Sequence, residues 1–453
     1  MIEASAVQQI AQRVFSASEA DETEVVFFGL EERLTRFANN VIHQNVAETD
    51  ATAVIRAAVG QRVGVAQTND LSAAGLERAV AAAVAGARLQ PEDPDYPGMP
   101  GPGSVDSVAA FDERTAAYSP IDRARDVGVV CRWAEEADAN ASGAFRTAVH
   151  TFAVANSHDL FVHHLTTIAD LTTVVMTGDS AGYASGASWR VDEVDVPALG
   201  RAAIDRAIRG RNPQSIEPGV YPVVLEPYAV ADIVSFLTHL AGGMMVAEGR
   251  SWMTGREGEH LMSPQVTIRD DGRDPAGWPL PFSFEGTPRR PVDIVKEGTV
   301  GSPVTDRRWA AQAGAADTGH ALPPTNPFSP WLNASTYGPL PLHAMMEGGE
   351  ATVEEMIAAT DRGLYVTRFH YTRVVHPREA VITGMTRDGL FLIENGEVTT
   401  PLKNLRFTQS YVEALNGVEM VGREVHTERG GLFAVRAPAL KLSGFHFTGA
   451  TTF

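Results

Sequence analysis

Cysteine is nearly absent from this sequence: Cys131 is the single one among 453 residues. One thiol excludes an internal disulfide framework and any zinc site built from several cysteines. Its neighbours Val129, Val130, Trp133 and Ala134 make it a small buried helix residue. Basic residues are also scarce. Lys and Arg number 37 against 56 Asp and Glu, a formal net charge of -19, which favours solubility and repels the phosphates of nucleic acid. No basic stripe with interleaved aromatics offsets that charge, so direct nucleic-acid contact is not expected. No apolar run approaches the ~18 residues of a membrane span. Residues 1–15 mix Glu3, Gln8, Gln9 and Arg13 among apolar positions and lack the basic start and apolar block of a secretory signal. A cytoplasmic protein is expected. The phosphate loop G-x-x-x-x-G-K-[ST], the nucleophile elbow G-x-S-x-G and the zinc motif H-E-x-x-H are all missing.

What is present has globular proportions. Hydrophobic residues make up 44% and charged residues 21%, enough to bury a sizeable core. At roughly 100–200 residues per domain, the length suits two or three domains. Apolar spacing predicts helices over residues 5–17, 71–89, 120–139, 196–209, 229–240 and 352–360. Strand character appears at 24–30, at 34–46 (which carries Arg36, Asn39 and Asn40), in a hairpin over 51–66, and across 145–177. Residues 182–189 are small and predict a turn. Residues 91–103 are rich in Pro and Gly and predict a loop. A boundary is placed at the Pro- and Gly-bearing stretch 212–219. From 242 to about 340, long helices are absent, and Trp252, Trp278, Phe282, Phe284, Trp309 and Trp331 anchor ordered strands and loops. Residues 363–407 predict consecutive strands turning at Asp388-Gly389 and Asn395-Gly396; the last strand falls at 440–447. No tandem repeat is legible. The expected class is α+β: an N-terminal α/β domain over 1–215, then a β-rich domain over 216–453 with largely antiparallel sheets.

Several segments together resemble the TldD/PmbA family. They are Leu34-Thr35-Arg36-Phe37-Ala38-Asn39-Asn40, Ala155-Asn156-Ser157, Gly249-Arg250-Ser251, Asp317-Thr318-Gly319-His320-Ala321 and Arg362-Gly363-Leu364-Tyr365-Val366. Thr383-Gly384 and Leu392-Ile393-Glu394-Asn395-Gly396-Glu397 complete the set. Each is weak alone; their order and spacing are specific. The resemblance implies a metalloprotease-like protein of two domains, a β-rich C-terminal core, and dimers in which a TldD-like subunit and a TldE (PmbA)-like subunit enclose a chamber for peptide or unfolded-protein substrates. It also brings the old family label, modulator of DNA gyrase, and the classification peptidase U62. TldD-like chains carry H-E-x-x-x-H on a helix. Two such histidines can face one zinc ion while the glutamate activates its water. A cysteine near the C-terminus completes that zinc site.

This sequence departs from the pattern. Counting back from Gly249-Arg250-Ser251, the motif window falls on Val234-Ser235-Phe236-Leu237-Thr238-His239. Val234 has no donor atom, and Ser235 is a poor base near pH 7. The cysteine loop corresponds to His426-Thr427-Glu428-Arg429-Gly430. The expectation is a TldE-like chain with no resident zinc, the metal being held by a TldD-like partner. His239 and His426 are remnant metal-site candidates, the alternative being ordinary hydrogen-bonded histidines, His239 on a helix and His426 in a loop. His320, and Asn326 in the Pro/Asn-rich loop after it, are peptide-contact candidates because the family places that segment near the chamber. His370 and His376, evenly separated on one strand, share a face there but are too far apart to chelate together. The doublets Arg289-Arg290 and Arg307-Arg308 are expected in surface ion pairs. Two alternatives stand beside the partner-subunit reading: an independent homodimeric hydrolase using His239 with His426 or the His320 loop, and a non-catalytic binding or regulatory protein.

Overall fold

The computed structural model describes residues 2–451. Six strands form the first sheet: β1 (Glu22–Ala38), β2 (Val41–Val59), β3 (Arg62–Thr68), β4 (Asn140–Asn156), β5 (Phe161–Met176) and β6 (Ala181–Ser188). Their order is β3-β2-β1-β4-β5-β6, with every neighbour antiparallel. This order is two three-stranded meanders placed back to back. Each is preceded by a helix (Ala4–Ala17; Pro120–Glu136) and followed by one (Ala73–Leu89; Val196–Arg209). The chain therefore repeats a helix–meander–helix unit that its residues do not advertise. Buried Cys131 lies on the Pro120–Glu136 helix.

Two expectations fail in this sheet for identifiable reasons. Residues 34–46 are not one strand: Asn39 and Asn40 take positive φ (51° and 62°) and make the tight turn between β1 and β2. Asn40 also pins that turn, accepting the Ala141 N–H at 2.7 Å and donating to the Ala139 carbonyl at 2.9 Å. Residues 182–189 are not a turn but most of edge strand β6. Its small side chains answer a packing demand. A Cβ on Gly182 would lie 2.0 Å from the Ala203 carbonyl oxygen, because the Val196–Arg209 helix lies flat on the strand.

The second sheet has 11 strands: β7 (Val220–Leu225), β8 (Ile268–Asp270), β9 (Val292–Lys296), β10 (Thr299–Val300), β11 (His343–Met346), β12 (Arg362–His376), β13 (Val381–Glu394), β14 (Glu397–Pro401), β15 (Leu405–Ser410), β16 (Val418–Gly430) and β17 (Phe433–Ala450). Only β7/β12 and β11/β17 run parallel among these pairs. Because β17 pairs with both β15 and β7, strands β7, β12, β13, β15 and β17 close into a ring. Asn395-Gly396 makes the β13–β14 hairpin turn with positive φ at both residues. Asp388-Gly389 does not turn the chain. It is a bulge inside β13, where the register to β12 slips between Val366 and Arg368. The same strand pair slips again beyond His370 and beyond Val374, so His370 and His376 do not keep the alternation of one face.

Alternation on β1 explains how the halves meet. Val25 joins Val14, Ile55, Leu76 and Val80 beneath the helices. Val26 and Phe28 point the other way, into a layer with Phe152, Trp278, Phe282 and Phe284. The Gly- and Pro-rich segment after residue 242 thus supplies aromatic anchors between the two sheets, although Trp331 is left 60% exposed. No helix among the described residues is long and apolar enough to cross a membrane.

Candidate functional site

The motif-equivalent residues lie on the Pro227–His239 helix, which leaves β7 with Pro at its first turn. Its inner stripe, Val230, Ile233, Val234 and Leu237, is fully buried against the ring. Val234 therefore faces the core. Ser235, Phe236 and His239 occupy the opposite stripe and line a cavity of about 650 Å³. Across it stand Glu428, Arg429 and Gly430 from β16, Phe433 and Val435 from β17, and Arg373 from β12, with Trp331 and Pro341 completing the wall. The His239 ring meets the Tyr337 ring edge-on at 5.1 Å. Burial holds its pKa below the ordinary histidine value, so the imidazole is neutral near pH 7.

His426 sits two residues before Glu428 on β16, a strand rather than the loop expected there. Its Nε2 lies 3.0 Å from Glu428 Oε1, which also accepts the Ser185 hydroxyl proton, and its ring meets Tyr228 edge-on at 4.9 Å. His426 lines a separate cavity of about 350 Å³ with Arg206, Glu226, Tyr228 and Tyr365. There the Glu226 carboxylate accepts hydrogen bonds from Arg206 and from the Tyr365 hydroxyl. His239 and His426 thus open onto different cavities.

A catalytic zinc site takes three protein ligands from His, Cys and carboxylates. The donor set here does not fit that demand. Val234 offers no donor and lies in apolar packing, and Ser235 offers only a neutral hydroxyl. Among the described residues no group of three or more His, Cys, Asp or Glu is placed to hold a metal ion.

His320 lies elsewhere and is itself fully buried. His320 Nε2 is 2.9 Å from Asp270 Oδ1 and its Nδ1 is 2.9 Å from the Thr318 hydroxyl. Asn326 is also fully buried, accepting the Phe328 N–H through Oδ1 while its Nδ2 has no partner. In this conformation neither side chain reaches a cavity surface. Arg289, expected at the surface, is buried as well and donates to His343 Nδ1 at 2.7 Å. Arg308 does form the ion pair expected of it, with Asp93, whereas Arg307 donates to the backbone carbonyls of Pro97 and Gly98. Sequence reasoning missed Asp270, Arg289 and His343 as a unit. They lie on separate segments with no shared local pattern, and Arg373 carried no motif at all.

Residues 218–449 match the PmbA/TldA metallopeptidase C-terminal domain, and residues 23–87 match PmbA/TldA metallopeptidase domain 1; the chain belongs to this TldD/PmbA family. A metalloprotease PmbA homologue of Haemophilus influenzae is 23% identical across 96% of this chain and 94% of its own length. A metalloprotease TldD homologue of Buchnera aphidicola is 24% identical, but the match covers 52% of this chain and only 48% of that relative, about half its length. The crystal structure of TldE from Thermococcus kodakarensis superimposes with a TM-score of 0.87 at 21% identity, covering 98% of this chain and 100% of that one, a likeness of fold.

Proposed function

We propose that this chain is the TldE-like subunit of a TldD/TldE-type metalloprotease, supplying chamber wall and subunit contacts while a TldD-like partner holds the zinc. One observation carries the reading. The helix to which the motif count leads walls a cavity, and that count puts buried Val234 at the first ligand position and Ser235 at the base position. A hydrolytic water would have no carboxylate base at that position in this subunit. The substrates proposed are peptides or unfolded protein, handled in the cytoplasm. The neighbour named TldE supports the reading through its fold.

The test is co-expression with a TldD-like chain of the same organism, followed by native mass measurement and peptide hydrolysis. The expected outcome is a mixed dimer whose activity exceeds that of either chain alone. If the chains stay apart and neither gains activity, the partner role is wrong. Hydrolysis by this chain alone, abolished by His239→Ala, would replace it with an independent homodimeric hydrolase. A stable protein client bound without turnover would replace it with a regulatory role.

A further inference from the structure

Building on the reading of this chain as a peptide-handling subunit, we infer that the cavity beside the Pro227–His239 helix is a subsite for a peptide C-terminus: its apolar wall takes the last side chain and Arg373 takes the terminal carboxylate. The volume, about 650 Å³, is within the range of ligand pockets. The wall is apolar, with Phe236, Pro341, Phe433 and Val435 turned to it. Arg373 stands at this wall, exposed, with its guanidinium 4.9 Å from the Tyr371 ring and no carboxylate in ion-pairing distance among the described residues.

The other charged groups at the cavity are buried or hydrogen-bonded, although the Arg429 Nε and Nη1 have no hydrogen-bond partner. Glu428 Oε1 is held by Ser185 and His426. Arg429 is buried, stacked 4.3 Å over Trp278 and 3.6 Å from Asp170. His239 is desolvated and neutral, able to donate or accept one hydrogen bond without contesting the carboxylate's charge. What remains exposed and without a counter-charge is the Arg373 guanidinium beside an apolar pocket. A chain end matches that pair closely, because its side chain and its carboxylate leave the same Cα. An internal Asp or Glu brings the charge without the apolar group. A guanidinium and a carboxylate form the stronger, charge-assisted kind of hydrogen bond.

Three short peptides labelled at the N-terminus separate the alternatives by fluorescence anisotropy. All end in Phe: two share one Glu-free sequence, with a free C-terminal carboxylate in one and a C-terminal amide in the other, and the third is the amide with one internal residue replaced by Glu. Binding is measured to the full chain, alone and with its TldD-like partner. The free acid is expected to bind about ten-fold more tightly than either amide. Arg373→Gln should abolish that preference, and Arg373→Lys should keep part of it. Because Arg373 is exposed, the melting temperature of each variant should match that of the unmodified chain. Equal binding of acid and amide, no binding of any peptide, a Glu-amide as tight as the acid, or a preference that survives Arg373→Gln would each overturn the subsite. If the chain assembles with a TldD-like subunit but lacks the preference, only this inference falls. If it shows the preference yet joins no such subunit, the partner reading falls instead.

Discussion

Asp270 closes β8 with no exposed surface, and its two oxygens tie together segments distant in the chain. Oδ1 lies 2.9 Å from His320 Nε2, and Oδ2 accepts the backbone N–H of His343 at 2.7 Å. His343 Nδ1 in turn accepts from Arg289 at 2.7 Å. Burial alone would raise the Asp270 pKa. The His320 hydrogen bond and the electrostatic pull of the neighbouring His320, His343 and Arg289 side chains outweigh it and hold the carboxyl at about 2. Asp270→Asn removes the charge, leaves Arg289 buried without compensation, and sets an amide N–H against a group that must donate. Breaking a buried charged network in this way costs about 3 to 5 kcal/mol. Urea unfolding at pH 7, followed by the fluorescence of Trp278 and its fellows, should show a loss of that size. The pH dependence has a fixed sign. A depressed carboxyl pKa contributes stability that is present above its unfolded value, near 4, and is lost as pH falls toward the folded value near 2. Asp270 should account for about 2 kcal/mol of acid destabilisation in that window, absent from the variant. Pairing the change with His320→Gln should give a coupling energy above about 1 kcal/mol. An Asp270→Asn loss below about 1 kcal/mol, or strict additivity with His320→Gln, would refute the network's structural role.

Other perturbations follow from equally local geometry. Glu24 is fully buried 2.9 Å from Arg56, and burial, opposed by Arg56 and reinforced by Glu285, lifts its pKa to about 7. A raised carboxyl pKa contributes stability that is fully present below the unfolded value, near 4.5, and is lost as pH rises through the folded value near 7. Relative to Glu24→Gln, the native chain should therefore gain about 2 to 3 kcal/mol between pH 8 and pH 5, read from denaturant midpoints. Gly182→Ala should lower stability by about 1 to 3 kcal/mol, because the new Cβ meets the Ala203 carbonyl at 2.0 Å and must push the helix off β6. Val234→His with Ser235→Glu should lower stability by about 2 to 4 kcal/mol, since the imidazole enters closed apolar packing. Metal analysis of that double variant should still find zinc at background, because the side chain at position 234 points into the core and not into the cavity.

The elements that could be read from the residues are those whose signals are local. The Val196–Arg209 helix declares itself by apolar spacing after Asp195 and Pro197, with the Asp195 side chain capping it. Asn395-Gly396 declares a hairpin because both residues tolerate positive φ. Where a residue's size is set by a distant neighbour, the same logic misleads. Gly182, Ala184 and Gly186 suggest a turn only until the Val196–Arg209 helix is laid across them. Asn39-Asn40 carries the same left-handed tolerance as Asn-Gly, yet the apolar residues on either side hide the break. The closure of the ring through β17 and β7, and the doubling of the helix–meander–helix unit, are long-range facts with no local trace.

The candidate site divides along the same line. Counting along the motif identified Ser235 and His239, and helical geometry carries them to one wall while turning Val234, one residue away, into the core. Histidine as a residue type was a poorer guide. His320 looks like chemistry in sequence, but its ring nitrogens face the buried Asp270 carboxylate and the Thr318 hydroxyl. Arg373 looks like nothing in sequence, yet it is the guanidinium at the cavity wall without a counter-charge. A buried charge must be compensated where it lies, so a polar residue deep in this fold reports architecture. An exposed charge beside an apolar hollow has no such obligation, and its compensation can come from a ligand. On that ground the cavity beside the Pro227–His239 helix, more than any single histidine, is where the function of this chain should be sought.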